Sequence, residues 1–128
     1  MQKGKILLLF FTMAFSCLAA DIYDEVAGAI RSGDSKLIAS YFGNSVDLTI
    51  INMGDVYSKI QAELLVKDFL DKNPPKTFTI LHKGSSKEGT MFAIGNFVSK
   101  HGKLFRTSFS LRLTEGKYLI QQLSFEPQ

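Results

Sequence analysis

Between residues 77 and 125 the sequence reads as four strands whose connections are too short for a crossover, so this half of the chain must fold as an antiparallel meander. The strands are expected at 77–83, 90–100, 104–114 and 117–125, with glycine-bearing turns at 84–89, His101-Gly102 and Glu115-Gly116. In the third strand Phe105, Thr107, Phe109, Leu111 and Leu113 alternate with Arg106, Ser108, Ser110 and Arg112, which gives the first set to a core face. The second is apolar on both faces, as a central strand covered on two sides requires.

Helical signals fill the segment before the meander. Residues 21–31 place Ile22, Val26, Ala29 and Ile30 on one stripe, with Asp21 as cap and Asp24 and Glu25 at the positive end. Asp34 caps a second short helix over 35–42, which Gly43-Asn44 ends. A strand is expected over 46–52, then a turn at Gly54-Asp55 and a short extended Val56-Tyr57. Residues 58–72 carry the clearest helix. Ser58 and Gln61 form a capping box, Ala62, Leu65, Val66, Phe69 and Leu70 form the apolar face, and Glu63–Lys67 and Asp68–Lys72 pair on the wet side. Asn73-Pro74-Pro75 stops it.

The first twenty residues have the makings of a signal peptide. Residues 1–5 are short and cationic, 6–15 form an apolar run of ten residues, and Ser16-Cys17-Leu18-Ala19-Ala20 offers small residues for cleavage after Ala19 or Ala20. The run is about half the length of a membrane-spanning helix, so no transmembrane helix is expected in the mature chain, and the protein is expected to be periplasmic or secreted. The alternative is a lipoprotein anchored through Cys17, although the usual Leu three places ahead of the cysteine is missing. Export also removes the apparent basicity. The whole chain carries +3, but Lys3 and Lys5 belong to the leader, so from Asp21 onward 13 basic residues face 12 acidic ones, a net +1. With no basic tract left, a nucleic-acid partner is not expected. In either form the mature domain has no disulfide, so its stability must come from its core, much of it Phe (11 in the chain, with no Trp).

Two short helices, a strand, a long helix and a four-stranded meander form an order that resembles the nuclear transport factor 2-like (cystatin-like) superfamily. The segment 30–50 (IRSGDSKLIASYFGNSVDLTI) is similar to its frequent opening of helix, Gly-Asp, short helix, aromatic pair and first strand. The resemblance implies an α+β fold, a cone-shaped curved antiparallel sheet wrapped around a long helix, with two shorter N-terminal helices. A leader plus one such domain over 21–128 is also similar to secreted Bacteroidetes families of unknown function. The superfamily includes ketosteroid isomerase, scytalone dehydratase and polyketide cyclases beside non-enzymatic binding domains. Aligning Tyr41-Phe42 with its aromatic pair puts Thr49, Ile50 and Ile51 near the isomerase's catalytic Asp, and none is a carboxylate. The dehydratase's His and Asp could be supplied only by His82 or His101 with a nearby acid.

Candidate chemistry is sparse. His82 shares strand parity with Phe78 and Ile80 and so is a candidate cavity residue, with Asp47 or Tyr57 as partner in a hydrolyase- or isomerase-like reading. Strand-end exposure is the simpler reading of His82, and His101 sits in a turn. Tyr41, Phe42, Phe69, Phe78, Phe105 and Phe109 would line the cone, either as a ligand pocket or as plain core, and Gln122 and Asn96 could bond a ligand or face solvent. No metal-ligand spacing, nucleophile elbow or phosphate loop is present in the sequence, so no metal or cofactor is expected. The expectation is a non-catalytic exported module that binds a small apolar ligand or a protein partner, with a homodimer through the sheet as one form of the latter.

Overall fold

A computed structural model describes residues 21–128; the expected leader, with Cys17, lies outside the described residues. Asp21 accepts the Tyr23 N–H at 2.9 Å and caps α1 (Ile22–Ser32), whose Tyr23, Val26, Ala27, Ala29 and Ile30 are buried. Gly33, in the left-handed region at φ +72°, ends the helix and returns its N–H to the Ile30 carbonyl. Asp34 takes the N–H groups of Lys36 and Leu37 and starts α2, which spans Ser35–Ala39 rather than 35–42. Tertiary pairing shortens it: the Tyr41 carbonyl accepts the Ile120 N–H at 2.7 Å, and Phe42 already pairs with Ile120 as the first residue of β1 (Phe42–Ile50).

The turn after β1 differs from the expected Gly54-Asp55. Ile51 and Asn52, at φ +49° and +67°, form a two-residue hairpin turn, and Gly54 and Asp55 lie inside β2 (Met53–Ser58). Gly54 answers a different need, because Thr49 lies across it with Oγ1 2.5 Å from where a Cβ would stand. Ser58 then caps α3 (Lys59–Lys72) by accepting the Gln61 N–H at 3.3 Å, and Ala62, Val66, Phe69 and Leu70 are buried. On the wet face Lys67 pairs with Asp71 at 2.9 Å rather than with Glu63, and Asp68 pairs with Lys72 at 3.2 Å.

The meander follows as β3 (Pro75–Ser85), β4 (Thr90–Ser99), β5 (Leu104–Thr114) and β6 (Lys117–Pro127). The six strands form one curved sheet in the order β2-β1-β6-β5-β4-β3, antiparallel at every pair except β1–β6, which is parallel. Its inner face meets the helices through Phe78, Phe97, Phe105, Phe109, Leu111, Leu123 and Phe125, each at most 3% exposed. Full burial of such side chains contributes about 1.5–3 kcal/mol apiece. Leu113 departs from the alternation and is 52% exposed, where β5 runs past the core.

Candidate functional site

The interior of the cone is packed with rings. Phe69, projecting from α3, stacks on Phe125 at a centroid distance of 4.4 Å and meets Phe105 edge-on at 5.0 Å and Phe97 at 5.7 Å. Phe42, Phe78 and Phe109 are each at most 2% exposed. Tyr41 is half-buried at the flank, its hydroxyl 3.4 Å from Glu25 Oε1; burial first, and then the Glu25 carboxylate, raise its pKa. Phe69, Phe97, Phe105 and Phe125 therefore face one another, and Phe42, Phe78 and Phe109 are buried in the same core.

His82 does not share a face with Phe78 and Ile80. A register shift lies between Ile80 and His82: Phe78 pairs with Phe97 and Ile80 with Gly95 on the inner face, whereas His82 pairs with Ile94 on the outer one. Leu81 is the extra residue of a β-bulge, and that one-residue slip turns His82 outward to solvent. The sequence signal for this bulge is Gly95, where an added Cβ would collide with the Thr79 carbonyl oxygen. Asp47 is exposed on the same outer face but on β1, four strand positions from β3, or ~19 Å at the usual strand spacing. Tyr57 is on the edge strand β2, one strand farther away. Neither residue comes within hydrogen-bond reach of His82. Gln122 lies on the outer face between Asp47 and Ser110.

What stays open is the mouth of the cone. A cleft of about 330 Å³ lies between α3 and the β1–β2 hairpin, at the small end of the range for ligand sites. Leu48, Ile50 and Ile51 from β1 and its turn, Met53 and Tyr57 from β2, and Leu65 and Phe69 from α3 make it mainly apolar. Leu65, expected on the buried stripe, is 37% exposed because it forms this wall. Asp68 and Lys72 stand at the rim, and their ion pair, exposed on both sides, contributes little to stability.

Asn73 adds a mostly buried polar side chain to the cleft wall. Asn73 is 8% exposed, and both its backbone N–H (2.8 Å) and its Nδ2 (3.2 Å) donate to the Phe69 carbonyl, one of the acceptors left over at the end of α3. Its Oδ1 takes no hydrogen bond from the described residues. Ile51, Asn73 and Lys72 also border a wider groove that continues toward Lys103, Leu104 and Gln128. In the sequence, Asn73 signals only a helix stop, and Ile51 and Met53 look like ordinary residues of a strand and its turn.

At the opposite end of the sheet Lys83, Asp21 and Tyr23 form a surface cluster. Lys83 Nζ lies 3.1 Å from Asp21 Oδ2 and 5.0 Å from the Tyr23 ring centroid, while the Tyr23 hydroxyl donates to the Gly84 carbonyl at 2.7 Å. Among the described residues no three His, Cys, Asp or Glu side chains gather where they could hold a metal ion, and no helix is long and apolar enough to cross a membrane.

The geometry has clear relatives. A protein from Bacteroides uniformis, described as a member of the DUF4783 family, is 27% identical and superposes with a TM-score of 0.78 over 84% of this chain and 98% of its own. A second, from Bacteroides fragilis, is 29% identical with a TM-score of 0.77, over 84% of this chain and 100% of its own. A nuclear transport factor 2-like protein of unknown function from Silicibacter pomeroyi shares the fold at 13% identity and a TM-score of 0.61, over 84% and 90% of the two chains. None of the curated proteins is similar to this chain. The family described as a domain of unknown function, DUF4783, matches residues 23–126, and this chain, with its nuclear transport factor 2-like fold, belongs to it.

Proposed function

We propose that the domain is an exported, non-catalytic binding module that takes a small, largely apolar molecule at the mouth of the cone rather than inside it. The observation that carries this reading is the contrast between an interior closed by the Phe69 ring cluster and an open apolar cleft directly outside it. The free Asn73 Oδ1 supplies the polar contact, so the favoured ligand ends in a hydrogen-bond donor such as a hydroxyl. At about 0.8 kcal/mol per buried methylene, five or six methylenes yield ~4–5 kcal/mol, which corresponds to sub-millimolar to millimolar binding.

Calorimetric titration of the chain from Asp21 with 1-octanol tests this. Binding in that range, weakened at least tenfold by Leu65→Glu and unaffected by His82→Ala, is the expected result. Equal affinity in Leu65→Glu, or loss of binding in His82→Ala, would return attention to the outer face and to the hydrolyase- or isomerase-like alternative.

Export rests on the leader together with the position of Asp21. Cleavage after Ala19 or Ala20 leaves the α1 cap intact, whereas a lipid on Cys17 would be separated from that cap by only Leu18, Ala19 and Ala20. Mass spectrometry of the processed protein should find Ala20 or Asp21 as its first residue. A diacylated Cys17 would establish the anchored form instead.

A further inference from the structure

The two edges of the sheet are treated differently. The β3 edge is covered by α1, with Arg31 Nε donating to the Phe78 carbonyl at 3.2 Å and the Tyr23 hydroxyl donating to that of Gly84. No described element covers β2. The direction of its backbone follows from its neighbour: the Ile51 N–H donates to the Phe125 carbonyl, so Thr49 and Asp47 also turn toward β6. Their partners Gly54 and Val56, and Ser58 in step with them, therefore point their N–H and C=O groups out of the sheet. The Val56 N–H confirms this direction, since it is held at 2.8 Å by the carboxylate of Asp55. The strand also exposes two apolar side chains, Met53 at 75% and Val56 at 63%.

We propose that this edge pairs with a second copy of the chain, β2 against β2 and antiparallel, centred on Val56. The sequence of the strand is complementary to itself in that register. Val56 faces the partner subunit's Val56, Gly54 faces the partner subunit's Ser58, and Asp55 faces the partner subunit's Tyr57, so no like charges oppose each other. The polar groups exchange without loss. The Val56 N–H passes from Asp55 to the partner's Val56 carbonyl, and the released carboxylate accepts the hydroxyl of the partner's Tyr57. Tyr57 makes no hydrogen bond among the described residues. About six backbone hydrogen bonds join the two sheets, and each cleft gains the other copy's strand beside its β2 wall. This inference does not depend on what the cleft binds.

Sedimentation of the chain from Asp21 over a micromolar concentration series should show a reversible dimer. Val56→Pro, a change an edge strand tolerates, should give a monomer with an unchanged circular dichroism spectrum, and Tyr57→Phe should weaken the dimer several-fold. Since the chain from Asp21 has no cysteine, Val56→Cys adds a check that does not rely on proline: opposed residues of this type lie about 5.5 Å apart at Cα, so mild oxidation should yield a covalent dimer, and Phe92→Cys on the outer face should not. A monomer at every concentration, a dimer that survives Val56→Pro, or cross-linking through position 92 in place of 56 would overturn the proposal.

Discussion

Thr107 sits at the centre of β5 between Gly95 and Phe125, fully buried, with no hydrogen-bond partner for its Oγ1 among the described residues. Such an atom forfeits its hydration and gains nothing in return. Thr107→Val keeps the shape and removes the orphan, and should raise the unfolding free energy by about 1 kcal/mol in urea titrations. Asp21 shows the opposite situation at the surface. Its pKa is lowered first by the Tyr23 N–H and then by the Lys83 ammonium. A folded value below the unfolded one means that this carboxylate stabilises the fold above its unfolded pKa, and that the contribution is lost as the pH falls through the folded one. Stability measured by urea unfolding should therefore decline below about pH 4, and less steeply in Asp21→Asn, which keeps the cap but does not titrate. An equal slope in the two proteins would remove Asp21 from that role.

At the scale of elements, the β1–β2 hairpin carries a local conflict. Ile51 is β-branched yet adopts φ +49°, where Asn or Gly fits best. Replacing Ile51-Asn52 by Asn-Gly should stabilise the protein by about 1 kcal/mol and weaken 1-octanol binding, because Ile51 lines the cleft. A rise in stability with unchanged binding would detach the turn from the site. The same conflict explains where the sequence was legible. The caps Asp21, Asp34 and Ser58 are local signals and mark helix starts that the structure keeps. The four strands of the meander are equally legible, because their period and short turns leave little choice. The hairpin turn was not, because Gly54, the obvious turn residue, serves the approach of Thr49, while Ile51 carries no turn signature. The face of His82 was hidden for a related reason: one extra residue in β3 reverses the parity of everything after it, and only Gly95 on the neighbouring strand hints at the bulge.

For the whole molecule, the sheet closes around α3 until Phe69, Phe97, Phe105 and Phe125 fill the space where a deeper cone would hold a ligand. Composition pointed to a Phe-rich core, but whether that core is hollow depends on long-range packing and is not written in any local pattern. Filling the centre moves the accessible apolar surface outward to the cleft between α3 and the β1–β2 hairpin, with Asn73 at its wall. The most direct test of that account is a two-dimensional ¹⁵N–¹H NMR titration of the chain from Asp21 with 1-octanol. Saturable shifts confined to Ile50, Ile51, Met53, Leu65, Phe69 and Asn73 are the predicted result; shifts centred on His82 and Asp47, or none up to the solubility limit, would contradict it.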